Sequence, residues 1–268
     1  HYSARKQLEG MLGMRETMVD VRGTNVRMLE AGAGPSVLFL HGIDGPSADP
    51  LLSELSKSYR VLAPEMPGFA LSPIPDWMMN VGDAAYFTMD LIAALGLPQV
   101  HLAGNSIGGW IAAEVAIRST HALASLSLLA PAGVMPREAP GHDVFLLSGD
   151  ESVRVLFHDQ ALADQELAAR AGDPLDIILQ NRAGLARLAW TPRMASVTLP
   201  QWLHRIDIPT FIAWGREDRI LPFSTHEIFL REIVGARFLE LPACGHAIPH
   251  ERGAEVARAM GAFMNGAH

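Results

Sequence analysis

The sequence predicts an α/β protein in which a mostly parallel, doubly wound sheet is interrupted by a helical insert. Short buried apolar runs, such as Ser36–Leu40 and Val100–Gly104, alternate with stretches whose apolar residues recur at helical spacing. Strand–helix–strand units of this kind are joined by right-handed crossovers, which make the strands parallel. The alternation stops at Pro131 and resumes at Pro209. A helical segment is therefore expected between these two prolines.

The first half of the chain alternates strands with helices. The predicted strands are Thr17–Val21, Asn25–Glu30, Ser36–Leu40, Arg60–Ala63, Val100–Gly104 and Ser125–Ala130. The predicted helices lie around Leu51–Leu55, Val81–Leu95 and Ile107–Ile117. Turn residues separate these elements, since Gly23 lies between the first two strands, and Gly96 and Pro98 end the second helix.

The second half of the chain begins with the insert. From Val134 to Arg205 the pattern contains helix-like segments, Asp159–Ala171 and Asp176–Leu188, and no short buried strand. Strand and helix then resume over Pro209–Trp214, Phe223–Val234, Ala236–Leu241 and Glu251–Met264. We therefore predict an α/β core formed by residues 17–133 and 206–268, with a helical lid formed by residues 134–205.

Composition limits the kinds of partner. The chain has 268 residues, of which 49% are hydrophobic, enough for one large domain or for a core with a small inserted one. Its net charge of −8 argues against nucleic acid, which requires a dense positive surface. One cysteine, Cys244, excludes a disulfide within the chain. Neither a membrane span nor a signal peptide is apparent. We expect a cytoplasmic protein with a small-molecule substrate, and a homo-oligomer is possible.

The strongest local motif is Gly104–Asn105–Ser106–Ile107–Gly108–Gly109, at the switch from a strand to a helix. In this context Gly-x-Ser-x-Gly is a nucleophile elbow, which lifts the serine hydroxyl clear of the sheet. Glycine is needed at 104 and 108 because a Cβ there would collide with the neighbouring strand or helix. The alternative is a glycine-rich turn in which the serine caps the helix. The sequence predicts that Ser106 is a nucleophile.

A serine nucleophile needs a base, and the base needs an acid that orients it. In this architecture the chain order is serine, acid, histidine. His246 lies in a loop between the last predicted strand and the last helix, and we predict that it is the base. His250 is the competitor, but its place at the start of the helix favours a capping or surface role. Asp218 follows the strand Pro209–Trp214 and is the predicted acid, with a simple turn residue as the alternative.

Two backbone N–H groups are needed to stabilise an oxyanion. The first is that of Ile107, at a helix N-terminus where the dipole favours negative charge. The second is that of Ile43, because Gly42 ends an earlier strand and leaves the backbone free to turn the next amide into the site. His41 is expected to hold this loop by hydrogen bonds. We expect neither a metal ion nor a cofactor.

These motifs together resemble the α/β-hydrolase superfamily with a lid inserted after the sixth strand. The resemblance runs from about Thr17 to near the end of the chain, through His41–Gly42, the serine motif, Trp214–Asp218 and Gly245–His246 in family order. With Asn105 directly before the serine, the motif is similar to that of the hydrolases that cleave carbon–carbon bonds in ring-fission products of aromatic degradation. That resemblance implies a substrate-binding role for Asn105 and for a lid arginine.

Candidates for the remaining substrate contacts lie in the predicted lid. They are the arginines Arg182 and Arg187, and Trp190, for which packing within the lid is the alternative. Serine at 106 argues against dehalogenases and epoxide hydrolases of this fold, which use aspartate there. Cofactor-free dioxygenases share the triad, and the sequence does not exclude that activity.

The preferred function from sequence is hydrolysis of small, largely apolar carboxylic esters through an acyl-enzyme. Carbon–carbon hydrolysis of a dienone acid is the alternative, and a ligand receptor on a hydrolase fold is the third hypothesis. The ester is preferred because Ile43–Asp44 and Ala247 stand where the carbon–carbon hydrolases usually have a glycine-rich stretch and a tryptophan.

Overall fold

One sheet organises the residues that the computed structural model describes, 14–46, 49–135 and 141–266. Its eight strands are β1 Arg15–Val21, β2 Thr24–Ala31, β3 Ser36–Leu40, β4 Arg60–Pro64, β5 Val100–Asn105, β6 Leu123–Leu129, β7 Thr210–Gly215 and β8 Arg237–Leu241. They lie in the order β1-β2-β4-β3-β5-β6-β7-β8. The pairs β1–β2 and β2–β4 are antiparallel, and the strands from β4 to β8 are parallel neighbours. The predicted mostly parallel sheet is confirmed.

The burial of the strands explains why the sequence shows them as continuous apolar runs. Strands β3 to β7 are almost entirely buried, because helices cover both faces of a parallel sheet. The edge strand β8 is partly exposed, and β1 at the opposite edge is mostly exposed. Apolar side chains therefore line the central strands on both faces, and the loops after these strands meet at one edge.

Six helices belong to the predicted core in the part of the chain that the structure describes. They are α1 Pro50–Leu55, α2 Val81–Ala94, α3 Ile107–Arg118, α8 His226–Glu232, α9 Ile248–Glu251 and α10 Gly253–Met264. The helix predicted over Phe223–Val234 starts as a 3-10 turn at Phe223–Thr225. The last predicted helix, Glu251–Met264, corresponds to α10, and the short helix α9 precedes it, separated by Arg252, whose φ of −132° breaks the helical path.

The described residues between β6 and β7 are mainly helical. We call residues 134–205 the insert, and its helices are α4 Gly149–Leu156, α5 Gln160–Arg170, α6 Leu175–Ala189 and α7 Leu199–Trp202. Ser148 and Glu151 form a capping box at the start of α4, and Asp159 caps α5. The two longer helices lie within one residue of the predicted segments Asp159–Ala171 and Asp176–Leu188.

The insert contacts the loops that follow β3, β4 and β8. Helix α6 lies against the loop after β4, where an ideal Cβ on Gly184 would be 2.2 Å from the carbonyl oxygen of Gly68. The insert thus packs over the carboxyl edge of the sheet, where the candidate site lies. Of the helices that the structure describes, none has both the length and the apolar character that crossing a membrane requires.

Candidate active site

Ser106 lies on the turn between β5 and α3, and its residue surface is 2% exposed. Its φ is +56° and its ψ is −120°, a strained conformation for a residue with a side chain. An ideal Cβ on Gly104 would lie 2.3 Å from the oxygen of Gly108, and one on Gly108 would lie 2.2 Å from the oxygen of Leu40. The collisions predicted at both positions are confirmed, so only glycine fits on either side of the serine.

His246 and Asp218 form a buried pair. His246 Nδ1 lies 2.7 Å from Asp218 Oδ2, and the two side chains are 3% and 0% exposed. The other carboxylate oxygen accepts hydrogen bonds from the backbone N–H groups of Ile220 and Leu221, at 2.8 and 2.9 Å. An ionised Asp218 places the ring proton on Nδ1, which leaves the lone pair on Nε2. The pair is therefore oriented for a base whose Nε2 accepts a proton.

The loop that carries His246 is held on both sides. The backbone N–H groups of His246 and Ala247 both donate to the carbonyl of Leu156, in the insert, at 2.8 and 3.0 Å. The N–H of Gly245 donates to Glu251 Oε2 at 2.7 Å. On the core side, Glu217 Oε2 accepts the N–H of Cys244 at 3.0 Å, so its carboxylate braces the loop and does not contact the imidazole.

The loop after β3 is held by His41. Met66 N–H donates to His41 Nε2 at 3.0 Å, so the ring proton is on Nδ1, which donates to the carbonyl of Gly42 at 2.7 Å. The C=O and N–H of a trans peptide point in opposite directions, so fixing this carbonyl also fixes the direction of Ile43 N–H. An ideal Cβ on Gly42 would lie 3.7 Å from Ser106 Cβ, which places the loop against the nucleophile.

The other predicted donor follows Ser106 directly. Ile107 is the first residue of α3, where the backbone N–H has no partner within the helix and the dipole favours an anion. Ile107 directly follows Ser106 in the chain, and Ile43 lines the cavity that Ser106 also lines. The arrangement can stabilise negative charge on an oxygen bonded to a carbon that the serine attacks.

Two adjoining cavities lie beside the candidate catalytic residues. The first, about 60 Å³, is lined by Ser106, Asn105 and His246, and the second, about 190 Å³, lies within the insert. We call them the serine cavity and the insert cavity. Residues that line both are Ile43, Asp44 and Arg170. These shared lining residues connect the two cavities, so a ligand larger than a short acyl group could extend from the first into the second.

Asn105 and Arg182 lie at these cavities. Asn105 lines the serine cavity, and its Oδ1 is buried with no hydrogen-bond partner among the described residues. Arg182 lines the insert cavity, and its Nη2 donates to the carbonyl of Leu147 at 2.8 Å. No carboxylate of the described residues lies within ion-pair distance of this guanidinium.

Two predicted substrate contacts lie elsewhere, and those assignments are corrected. Arg187 donates to the carbonyls of Met78 and Asp76, at 2.9 and 2.6 Å, so it fixes the loop before α2 and lines neither cavity. Trp190 is 48% exposed and packs edge-on against Phe145, with ring centroids 5.1 Å apart. The sequence pattern predicts that both residues lie in the insert. It does not predict which neighbouring residues each side chain contacts.

The serine cavity is also lined by residues for which no site role was predicted from the sequence. His250, for which a surface or capping role is expected, is half-buried, lines this cavity and packs near Phe157, with ring centroids 5.8 Å apart. Arg170 binds both oxygens of Asp44, at 2.9 and 3.0 Å, and Glu166 at 2.5 Å. The four-residue spacing of Glu166 and Arg170 on a helix was the available signal for that pair.

The charge of Arg170 is neutralised by its neighbours. Burial acts to lower its pKa, but the carboxylates of Asp44 and Glu166 outweigh burial and hold the pKa above its ordinary value. Arg170 is therefore a permanent cation that already has two anionic partners. Among the residues that the structure describes, no group of three or more His, Cys, Asp or Glu side chains is arranged to hold a metal ion.

Comparison with known proteins adds four findings. The model of the alpha/beta hydrolase family matches residues 37–259. A 2-hydroxymuconate semialdehyde hydrolase from Pseudomonas sp. (strain CF600) is 30% identical, over 90% of this chain and 91% of the relative. A 2-hydroxy-6-oxo-6-(2'-aminophenyl)hexa-2,4-dienoic acid hydrolase from Metapseudomonas resinovorans is 25% identical, over 93% and 91% of the two chains. The crystal structure of a membrane phospholipase A is 28% identical, with a TM-score of 0.77 over 98% of this chain and 90% of that chain.

Proposed function

The chain belongs to the alpha/beta hydrolase family, and we propose that it is a serine hydrolase that cleaves a carbon–carbon bond in a 2-hydroxy-6-oxo-2,4-dienoic acid. The observation that carries this proposal is the position of Arg182, a guanidinium without a carboxylate partner in the described residues, in the insert cavity, which adjoins the serine cavity. The names of the two relatives support it. The preference for an ester, which rested on Ile43–Asp44 and Ala247, is thereby reversed.

The proposed substrate has an anionic end that must be recognised. An arginine binds a carboxylate through two parallel N–H···O bonds. Arg182 is available for this interaction, whereas Arg170 is already bound to Asp44 and Glu166. We therefore assign the carboxylate to Arg182, and the ketone at C6 to the serine cavity.

Asn105 supports the same orientation. A buried amide oxygen without a partner carries a free-energy cost that a ligand donor can remove. The 2-hydroxyl group of the substrate is such a donor, and Asn105 Oδ1 lines the serine cavity. In our proposal this contact holds the enol end of the substrate while C6 lies next to Ser106.

The reaction then proceeds in two stages. First the proton of the 2-hydroxyl group is lost and C5 gains one, which gives a 2,6-diketone. Ser106 Oγ then attacks C6 and transfers its proton to His246 Nε2, while Asp218 stabilises the imidazolium. The N–H groups of Ile43 and Ile107 stabilise the oxyanion at C6.

Breaking the C5–C6 bond sends its electron pair through the C3=C4 bond to the oxygen at C2. The dienolate that forms takes the proton held by His246 and leaves as a 2-hydroxydienoic acid, which returns His246 to its neutral form. The acyl group stays on Ser106 until water, deprotonated by His246, attacks it and releases a carboxylic acid. Overall, one water molecule is consumed and two acids are formed.

Ester hydrolysis is the second candidate. The same serine, base and oxyanion donors suffice for an ester, which needs no carboxylate site. The likeness to the phospholipase at 28% identity favours it, and so does the small serine cavity, which suits a short acyl group.

The two candidates are separated by kinetics on both substrate types. We would compare 2-hydroxy-6-oxo-6-phenylhexa-2,4-dienoate with a series of p-nitrophenyl esters, using wild type and Arg182→Ala. We expect the dienoate to be the faster substrate, and its kcat/KM to fall about ten- to hundredfold in the variant, as for loss of a hydrogen-bonded charge pair. Ester turnover should change little.

Arg187→Ala is the matched control because Arg187 lies on the same helix and lines neither cavity. It should lower stability without a selective loss on the dienoate. Esters that are turned over faster than the dienoate, with rates indifferent to Arg182, would establish the ester function instead.

A further inference from the structure

Asp44, the residue after Ile43, is held by two helices of the insert. Arg170, on α5, binds both oxygens of its carboxylate, at 2.9 and 3.0 Å. Asn181, on α6, donates from Nδ2 to its main-chain carbonyl at 3.1 Å. The Oδ1 of Asn181 accepts the N–H of Ala70, in the core, at 2.7 Å. The side chain and the main chain of Asp44 are therefore both fixed from the insert.

The Asp44–Arg170 pair differs from an ordinary surface ion pair. Solvent-exposed pairs contribute little, because long side chains must be ordered and water screens the charges. Here the side chains are 37% and 25% exposed, the contact is bidentate, and Glu166 holds the Nε of Arg170 as well. Both residues line the serine cavity. The pair thus has a defined geometry in the cavity that Ser106 and His246 also line.

The contacts of Asp44 affect the orientation of the Ile43 amide. On the core side, Gly42 carbonyl is fixed by His41 Nδ1. On the insert side, Asp44 is fixed by Arg170 and Asn181. The segment Gly42–Asp44 is thereby held at both ends, with the Ile43 N–H between them. Such donors act only when they are preorganised, and an error of about 1 Å in position can cost about a hundredfold in rate.

We propose that the insert positions the oxyanion loop through Asp44, with Arg170 and Asn181 as the positioning residues. The insert then sets the rate of acyl transfer as well as covering the site. This inference rests on the proposed role of the Ile43 amide, and it holds for either a carbon–carbon or an ester substrate. The carboxylate of Asp44 supplies the contact with Arg170, and its main-chain carbonyl supplies the contact with Asn181.

The test uses Asp44→Asn, Asp44→Ala, Arg170→Met and the double variant of Asp44→Ala with Arg170→Met. For each we would measure kcat and KM on the better of the two substrate classes, and the rate at which a fluorophosphonate labels Ser106. We expect kcat and the labelling rate to fall together, about ten- to hundredfold in Asp44→Ala, while KM changes less than about threefold. The double variant should lose no more than the worse single variant, because both changes break one contact.

Asp164→Ala is the control, since Asp164 forms an exposed ion pair with Arg154 within the insert, at 2.8 Å, and lines neither cavity. It should leave both rates unchanged. Circular dichroism and Tm identify variants that fail to fold, and the isosteric Asp44→Asn supplies a folded comparison with an intermediate loss. Labelling by the fluorophosphonate requires no natural substrate, so failure of the dienoate assay leaves this test intact.

Two results would overturn the inference. A rise in KM with unchanged kcat and unchanged labelling would make the pair a substrate-binding element. Additive losses in Tm with a labelling rate equal to that of wild type would make it a structural ion pair only.

Discussion

Ser106 has a strained backbone conformation that main-chain hydrogen bonds hold in place. A non-glycine residue at φ +56° costs about 1–3 kcal/mol, and the surrounding structure must compensate. The backbone supplies part of this compensation, since Ser106 N–H donates to the carbonyl of Leu129 at 3.0 Å and its own carbonyl accepts the N–H of Trp110 at 3.0 Å. The side chain is thus directed by main-chain contacts that do not depend on the hydroxyl.

We predict that Ser106→Ala abolishes turnover and leaves the fold intact. Alanine keeps the Cβ and the backbone geometry, and it removes only the attacking oxygen. Turnover should fall by about four orders of magnitude or more, since triad members act as one unit. The measurement is kcat together with Tm by thermal unfolding. An alanine variant that kept more than about a few per cent of the wild-type rate would show that another group is the nucleophile.

The two histidines of the serine cavity should differ in importance. His246 contacts Asp218 through Nδ1, whereas the His250 ring packs near Phe157. We predict that His246→Ala is as damaging as Ser106→Ala, and that His250→Ala retains at least about a tenth of wild-type kcat, as for loss of a packing contact. Rates of both variants on the best substrate provide the comparison. A larger loss at His250 would reassign the base.

At the scale of elements, the docking of α6 depends on close backbone contact. Gly184 faces Gly68, and an added Cβ would lie 2.2 Å from its oxygen and 2.8 Å from its carbonyl carbon. We predict that Gly184→Ala displaces α6 and destabilises the protein by about 1–3 kcal/mol, as overpacking does. Activity should fall too, since Asn181 on the same helix holds Asp44. Chemical denaturation and kcat measure the two effects.

Gly172→Ala is the control for this prediction. Gly172 lies between α5 and α6, and an added Cβ would have no atom within 4 Å. Its substitution should be neutral, or stabilising by about 0.4–1 kcal/mol through the unfolded chain. Equal destabilisation at the two positions would indicate that alanine at Gly184 does not act through contact with Gly68.

The elements that carry the candidate triad could be predicted because each lies at a strand end. Parallel strands place their carboxyl ends at one edge, so Ser106, Asp218 and His246 were expected together from local patterns alone. Helix bounds were less predictable where a single residue decides them. Arg252 separates α9 from α10 through its backbone angles, whereas Pro249, three residues earlier, lies within the first turn of α9 and does not mark the break.

At the scale of the whole molecule, the sequence could not predict which insert side chains reach the site. Arg182 and Arg187 are five residues apart on α6, and helical spacing describes both equally well. Only the docked structure shows that Arg187 meets the loop before α2 while Arg182 lines a cavity. Contacts such as Asp44–Arg170, which join residues 126 positions apart, depend on the same docking.

The ionisation of the Cys244 thiol depends on whether the whole molecule is folded. Its side chain is fully buried beside the His246 loop, and burial, followed by the charge of Glu251, raises the pKa of the thiol above its ordinary value of 9.0. In the unfolded chain the thiol ionises near that ordinary value, whereas in the folded protein it stays protonated. Above about pH 9 the folded state therefore binds one more proton than the unfolded state.

We predict that stability falls with rising pH above about pH 9, and that Cys244→Ala reduces this dependence. One proton retained only by the folded state lowers the free energy of unfolding by up to about 1.4 kcal/mol per pH unit. The contribution of Cys244 is fully present below the unfolded pKa and is lost as pH rises toward the folded one. Urea unfolding at pH 8, 9 and 10 gives the slope for each protein. Because the alanine variant lacks only this titration, parallel slopes for the two proteins would mean that the thiol ionises equally in both states and is accessible to water in the folded protein.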